Sequence, residues 1–81
     1  MTDQEIAAVV CALVEAEFGL PAGAVTLETE PSDVDGWDSM RQATILILIE
    51  RRFGFQFRGV DVADLETVGD LVGAVQARLG R

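Results

Sequence analysis

Apolar residues recur at intervals of three and four near the start of the chain, which is the spacing of an amphipathic helix. The positions that share this face are Ile6, Val9, Val10, Leu13 and Val14. Thr2 precedes the pattern and Glu5 stands three residues later, as in a capping box at a helix N-terminus. Gly19, followed by Pro21, is a typical helix end. The pattern therefore predicts a first helix over residues 3–18.

A second apolar pattern with helical spacing runs from Ser39 to Phe53, and Gly54 is placed to end it. Its predicted core stripe consists of Met40, Ala43, Leu46, Ile49 and Phe53. Either Asp38 or Ser39 is suited to be the N-cap, because each side chain has an oxygen that can accept a hydrogen bond from a backbone N–H of the first turn. We predict a helix over residues 39–53 that begins at this cap.

The second helix contains more apolar residues than one buried stripe requires. Residues 45–49 are all apolar, and a helix of this length in a small domain cannot bury every face. We therefore expect Ile47 and Leu48 to be exposed and to contact a partner.

The last third of the chain predicts an extended link, a short helix and a longer helix. Phe55 and Phe57 alternate with polar residues and are expected to fold back onto the core. Residues 60–65 suffice for a short helix, and Thr67 begins a second capping-box pattern. The apolar positions of the last helix are Val68, Leu71, Val72, Val75 and Leu79. Together these elements predict an all-α fold, a small four-helix bundle with three longer helices and one short helix.

A long connection, residues 20–38, separates the first two helices. It has no regular period and contains two prolines and two glycines. We expect Val25 and Leu27 to enter the core and hold it in place. Asp33 and Asp35 have the spacing that opens a calcium-binding loop. However, glycine then falls at the fourth position of the loop instead of the sixth, so we predict no metal site.

Composition and charge narrow the function classes. Eighty-one residues, 49% of them hydrophobic, suffice for a single domain, which we place at residues 1–81. The formal net charge is −8. Residues 1–40 hold nine acidic residues and no basic ones, whereas residues 41–81 hold five acidic residues and all six arginines. Because nucleic-acid binding needs a cationic surface, this balance argues against nucleic acid and favours basic partner surfaces.

The residue types present exclude several chemistries. The chain has no histidine and one cysteine, so it offers no zinc site and no Ser-His or Cys-His catalytic pair. Cys11 lies within the first helical pattern and is predicted to be a buried small hydrophobic residue. No segment is long enough to span a bilayer, and the acidic N-terminus lacks the features of a secretory signal. These observations predict a cytoplasmic protein that is not an enzyme.

The order of these parts closely resembles that of an acyl carrier protein along essentially the whole chain. One motif is Asp38-Ser39-Met40 at the start of an apolar helix, after a long acidic loop, although leucine is more usual in the place of Met40. The other is LETVGDL at residues 65–71, which is similar to the leucine-x-threonine-valine entry to the family's last helix. The two motifs stand at the family's usual separation.

The resemblance implies that Ser39 carries 4′-phosphopantetheine, which a separate phosphopantetheinyl transferase moves from coenzyme A onto the serine hydroxyl. The terminal thiol of this arm then holds acyl or aminoacyl groups as thioesters for loading and downstream biosynthetic enzymes. Asp38 and Met40 flank the serine and belong to the attachment site. A carrier of this kind is expected to be a monomer that binds neither membranes nor nucleic acid.

The chain departs from the familiar fatty-acid carriers on the second helix and just before the serine. Arg41, Arg51 and Arg52 occupy places where those carriers are acidic. Trp37 is more reminiscent of standalone carriers in polyketide or nonribosomal-peptide pathways, and it is equally compatible with an aromatic residue that anchors the loop on the core. These departures favour a specialised pathway.

The predicted partner-binding residues are Asp35, Trp37, Arg41, Ile47 and Leu48. We expect partners to place acidic groups near Arg41 and basic groups near Asp33, Asp35 and Asp38, since like charges disfavour a wrong partner. The alternative function is an unmodified four-helix interaction domain that binds a partner through the face of Ile47 and Leu48 and through the acidic loop.

Overall fold

Three α-helices make up most of residues 1–80, the part of the chain that this computed structural model describes. They are Asp3–Phe18 (α1), Ser39–Phe53 (α2) and Val68–Arg78 (α3). α1 packs against both α2 and α3, and no β-strand occurs in the described residues. The all-α prediction is confirmed. Arg81, the last residue of the predicted domain, lies outside the described residues.

The ends of α1 follow the predicted caps. The hydroxyl of Thr2 accepts a hydrogen bond from the Glu5 backbone N–H at 3.1 Å, and the Glu5 carboxylate accepts one from the Thr2 N–H at 2.7 Å. Gly19 ends the helix with φ +65°, a left-handed conformation that glycine adopts without steric cost. The helix bounds of 3–18 are therefore confirmed.

The core is aliphatic and is formed by α1, α2, α3 and one loop residue. The buried side chains are Ile6, Val10, Val14, Val25, Ile45, Ile49, Val68, Leu71, Val72 and Val75. Four of the five residues predicted for the last helix are among them. The aromatic rings pack around this cluster as half-buried side chains. Cys11 is also half-buried, so the prediction of a buried cysteine was wrong in degree. Desolvation is the larger cause that raises the pKa of its thiol, and the nearby Glu15 charge raises this pKa further.

The predicted core stripe of α2 was wrong at its N-terminal end. Met40 is 78% exposed and Ala43 is exposed, whereas Ile45 is fully buried with Ile49. Each step of three residues falls about 60° short of a full helical turn, so the stripe through Met40, Ala43 and Leu46 drifts around the helix. Ile45 and Ile49, one four-residue step apart, stay on the face that meets the core.

The loop before α2 is attached to α1 through a buried carboxylate. The Glu15 side chain, 8% exposed, accepts hydrogen bonds from the backbone N–H groups of Gly23 and Val25, both at 3.0 Å. Val25 is 4% exposed, as predicted. Leu27 is 46% exposed, so the expectation that its side chain enters the core was wrong.

The backbone of the loop, rather than the Leu27 side chain, makes the contact with α3. The Gly69 N–H donates to the Leu27 carbonyl at 2.8 Å, and the Val68 N–H donates to the Thr29 carbonyl at 2.9 Å. These two amides belong to the first turn of α3, where a helix offers them no acceptor of its own. The loop and the helix therefore satisfy one another's polar backbone groups.

The short helix predicted over residues 60–65 is not formed as an α-helix. A single 3-10 turn, Gly59–Asp61, stands there instead. The Asp61 carboxylate accepts a hydrogen bond from the Arg58 N–H at 2.7 Å and closes this turn. Val60 is 77% exposed, so the segment has little apolar burial with which to offset the cost of starting a helix.

The link between α2 and this turn does fold back onto the core, as predicted. Phe55 and Phe57 are half-buried and meet edge to face, with ring centroids 4.9 Å apart. Arg78 of α3 holds the link in place, because its guanidinium donates to the Gln56 carbonyl at 3.1 Å and its Nε lies 3.6 Å from the Asp61 carboxylate.

Within residues 1–80, no helix combines the length and the apolar character needed to cross a membrane.

The close approach of loop and helix predicts that Gly69→Ala destabilises the protein. A Cβ at residue 69 would lie 2.9 Å from the Leu27 carbonyl oxygen, a backbone atom that cannot rotate away. We expect a loss of about 1–3 kcal/mol in the free energy of unfolding, measured by denaturant titration.

Gly73→Ala is the matched control. Gly73 lies in the same helix, and a Cβ at this position would meet nothing within 4 Å. The higher helix propensity of alanine should make this variant neutral or up to about 1 kcal/mol more stable. Equal effects at the two positions would contradict the role assigned to the contact between Leu27 and Gly69.

Candidate functional site

Ser39 is the first residue of α2, and Asp38 caps the helix. The Asp38 side chain accepts a hydrogen bond from the Arg41 N–H at 2.9 Å, and its carbonyl accepts the Gln42 N–H at 2.9 Å. Of the two cap candidates, the structure therefore selects Asp38. The Ser39 side chain is left outside the cap at an exposed position.

A groove of about 510 Å³ begins at Ser39 and runs between the end of the loop and the start of α3. Its lining combines six apolar residues with five polar or charged ones: Pro31, Trp37, Asp38, Ser39, Gln42, Val62, Leu65, Glu66, Thr67, Val68 and Leu71. Sequence reasoning singled out the serine and its neighbours but not Gln42, Val62 or Leu65 as members of the site. The LETVGDL motif carried the available signal, since it supplies five of the lining residues.

Trp37 anchors the end of the loop. Its ring lies against Phe18 with a centroid distance of 5.3 Å, and its Nε1 donates to the Gln42 side-chain oxygen at 2.8 Å. The residue is half-buried. The geometry matches the anchoring interpretation of this tryptophan, and its ring also forms part of the groove wall.

Arg41 connects the start of α2 to the end of α1. One guanidinium nitrogen lies 2.7 Å from the Glu17 carboxylate and 3.2 Å from the Glu17 carbonyl, and the group stands 5.7 Å from the centre of the Phe18 ring. The side chain is 48% exposed, so it remains accessible while its charge is paired.

The outward face of α2 presents Met40 and Ile47, which are 78% and 47% exposed. They are seven positions apart, so both lie on nearly the same side of the helix. Leu48 is only half-buried, and the expectation that it is exposed was therefore wrong in part. Arg51, one turn beyond Ile47, is exposed, as is Asp35 in the loop.

The comparisons with known proteins agree with this arrangement. The family model for the phosphopantetheine attachment site matches residues 8–75. The acyl carrier protein of Kineococcus radiotolerans is 32% identical over 79 residues, which cover 98% of each chain. That of an Arthrobacter species is 36% identical over 74 residues and 88% of each chain. The chain belongs to the acyl carrier protein family.

A more specialised relative is also similar to this carrier. The meromycolate extension acyl carrier protein of Mycobacterium tuberculosis is 30% identical over 76 residues, which cover 94% of this chain and 66% of that protein. The family consists of carriers rather than catalysts, and its covalent cofactor is 4′-phosphopantetheine. Among residues 1–80, no three side chains of the metal-ligating types come together as a metal site.

The surroundings of Ser39 fit a phosphopantetheine group. A helix N-terminus carries partial positive charge and favours a phosphate. The Asp38 carboxylate at the cap takes the Arg41 N–H, and no acidic residue follows it in the first turn of α2. The groove offers apolar contact beside the serine to the rest of the arm. Ser39 and the residues of the groove would hold the cofactor, and the cofactor would supply the thiol that forms a thioester.

The cap of α3 forms one wall of this groove. The Thr67 hydroxyl accepts a hydrogen bond from the Asp70 N–H at 3.1 Å, as predicted for a capping box. The Asp70 carboxylate accepts hydrogen bonds from the N–H groups of Glu66 at 3.0 Å and Thr67 at 3.1 Å. These hydrogen bonds hold the pKa of the Asp70 carboxyl below its ordinary value of 3.8.

The lowered pKa of Asp70 predicts a pH dependence of stability. A carboxyl whose pKa is lower in the folded state stabilises the fold above its unfolded pKa, and this contribution is lost as the pH falls through the folded pKa. We expect Asp70→Asn to be less stable than the wild type at neutral pH and to lose less stability below about pH 4. Denaturation midpoints measured from pH 7 to pH 2 test this.

Asp64→Asn is the matched control, at an exposed position of the segment that precedes the cap. It removes one acidic charge of the chain while leaving the Asp70 cap intact. An Asp70→Asn profile parallel to the wild-type profile would show that this carboxylate does not couple folding to pH.

Proposed function

We propose that Ser39 is the attachment residue for 4′-phosphopantetheine, with Asp38 and Met40 as its immediate neighbours in the site. The proposal includes a single carrier domain over residues 1–81 that presents thioester-bound acyl or aminoacyl groups to separate enzymes. The observation that supports it most directly is an exposed serine at the first position of α2, at the edge of a groove lined by both apolar and polar residues.

The chemistry of attachment requires a second protein. The Ser39 oxygen forms a bond to the phosphorus next to the pantetheine part of coenzyme A. The pyrophosphate P–O bond breaks, the nucleotide part leaves, and the hydroxyl proton passes to a base of the transferase. The chain has no histidine to act as that base, and the neighbouring Asp38 carboxylate is engaged with the Arg41 N–H. Activation of the serine therefore falls to the phosphopantetheinyl transferase.

Incubation of the purified chain with coenzyme A and a broad-specificity phosphopantetheinyl transferase should add the mass of one phosphopantetheine. Ser39→Ala should abolish the addition. Ser32→Ala is the matched control, because Ser32 is the other serine of the chain and is also exposed. An adduct that persists in Ser39→Ala would contradict the assignment. A chain that several transferases leave unmodified would favour the alternative, an unmodified interaction domain.

The pathway we propose is a specialised one, of the polyketide or nonribosomal-peptide kind or a related one. Its support is the charge of α2, where Arg41, Arg51 and Arg52 are accompanied by Glu50. The Glu50 carboxylate is engaged inside the protein, since it accepts the Phe57 N–H at 2.7 Å. A partner with a cationic groove for an acidic helix would meet like charge on this face.

We further propose that the cognate partners contact an apolar ridge on α2, formed by Met40, Ile47 and the accessible part of Leu48. Met40 extends this ridge toward Ser39. Acidic partner groups would lie near the arginines of α2. Basic partner groups would face the loop residues Asp33 and Asp35, together with Asp38 at the cap. Trp37, which lines the groove, would also contact the partner.

The proposal also covers the cellular compartment, the oligomeric state and the fourth helix. The cytoplasm suits the free thiol of the arm, because cytosolic reductants keep thiols reduced. A net charge of −8 keeps copies of the chain apart and favours a monomer. Residues 59–65, with the 3-10 turn Gly59–Asp61, would take the place of the fourth, short helix of the family's bundle.

Arg51→Glu tests the charge on the apolar ridge. It reverses an exposed charge one turn beyond Ile47, whereas Arg41→Glu would also break the pair with Glu17. At low ionic strength we expect the variant to be modified roughly two- to tenfold more slowly by the transferase that acts fastest on the wild type. The rate of mass conversion, measured at low and high salt, provides the test.

Arg52→Glu is the matched control, because it changes the net charge equally from a position about 100° farther around α2. Its effect should be smaller. Equal slowing by both variants would mean that only the net charge of the carrier matters and that the ridge is not the docking surface.

A further inference from the structure

The groove beside Ser39 contains an amide whose orientation is determined by its partner. Trp37 Nε1 donates to the Gln42 side-chain oxygen at 2.8 Å. An indole N–H is only a donor, so the atom facing it must be the amide oxygen and not the amide nitrogen. The NH₂ group of Gln42 consequently points away from Trp37.

The tryptophan that orients this amide is itself held in place. Its ring packs against Phe18 at 5.3 Å, and its backbone N–H donates to the Val34 carbonyl at 3.3 Å. Gln42 is half-buried on the first turn of α2. Little side-chain entropy therefore remains to be lost when a ligand accepts a hydrogen bond from the Gln42 amide.

Gln42 is also on the correct side of the helix to meet a group attached to Ser39. Residues three apart on a helix are neighbours on its surface, and both side chains line the same groove. Among the described residues, no protein acceptor is bonded to Gln42 Nε2. A residue that lines the groove, one turn from the serine, thus carries a donor whose orientation relative to Trp37 is fixed.

We propose that Gln42 Nε2 donates a hydrogen bond to the phosphopantetheine arm, at the amide carbonyl nearest the phosphate, and that Trp37 is the positioning residue that orients it. This inference rests on the proposed attachment at Ser39. The short spacing from Ser39 to Gln42 selects the part of the arm next to the phosphate. Val62 and Leu65 supply apolar contact in the same groove. The pair would hold the root of the arm while its thiol end stays free to reach an enzyme.

The test compares the ¹⁵N-labelled chain before and after modification with unlabelled coenzyme A. Mass spectrometry first establishes that the arm is attached. We expect the Gln42 side-chain NH₂ resonances to move downfield and to exchange with solvent several-fold more slowly once the arm is present. The side-chain amide of Gln56, at an exposed position of the link after α2, serves as the internal control and should not change.

Two variants separate the donor from its positioning residue. In Gln42→Glu the carboxylate can still accept the hydrogen bond from the Trp37 indole, but it has no N–H to donate. This variant should therefore keep the bond to Trp37 and lose the hydrogen bond to the arm. Trp37→Phe keeps an aromatic ring but removes the N–H, and it should reduce the Gln42 shift and its protection on modification. Far-UV circular dichroism and thermal melts of both variants verify that they fold.

The outcomes are distinguishable from those of the proposed function. A wild-type chain that gains no phosphopantetheine overturns both proposals. A modified chain whose Gln42 amide neither shifts nor gains protection overturns the present inference alone. A Gln42 shift that is unchanged in Trp37→Phe overturns the positioning role of Trp37.

Discussion

The backbone contact between the loop and the start of α3 is the constraint on which the candidate site depends. The carbonyls of Leu27 and Thr29 accept hydrogen bonds from Gly69 and Val68, two amides that a helix leaves without an intrahelical acceptor. Because the two backbones meet directly, residue 69 has no room for a Cβ. This contact positions the loop, gives the first amides of α3 their acceptors, and holds one side of the groove beside Ser39 in place.

The remaining supports of the loop lead from this contact to the serine. Glu15 accepts two loop amides beside the core, and the Trp37 ring packs on Phe18 at the end of α1. An irregular segment is therefore held by α1 at both of its ends and by α3 in its middle. Ser39, an exposed residue, follows Trp37 by two positions and therefore lies on a well-supported stretch of backbone.

Sequence patterns predicted the features that are determined locally. The bounds of α1 and α2 followed from caps such as Thr2 and Asp38, whose hydrogen bonds reach only three residues along the chain. Two of the errors concern contacts between distant segments. Leu27 was expected to bury its side chain, but its carbonyl makes the contact instead. The apolar run of α2 left the buried face undetermined, because the choice of Ile45 depends on where α1 packs.

Arg41 shows how packing reassigns a charge that the sequence leaves open. The last turn of α1 contains no basic residue, and the Glu17 carbonyl near its C-terminal end accepts a hydrogen bond from the Arg41 guanidinium. A cation at that end of a helix is favourable, because the helix dipole places partial negative charge there. The Arg41 guanidinium is therefore paired within the fold, although the side chain is exposed enough to contact a partner. Arg51, which lies exposed in the last turn of α2, is left as the charge that a docking enzyme would meet with less competition from the carrier itself.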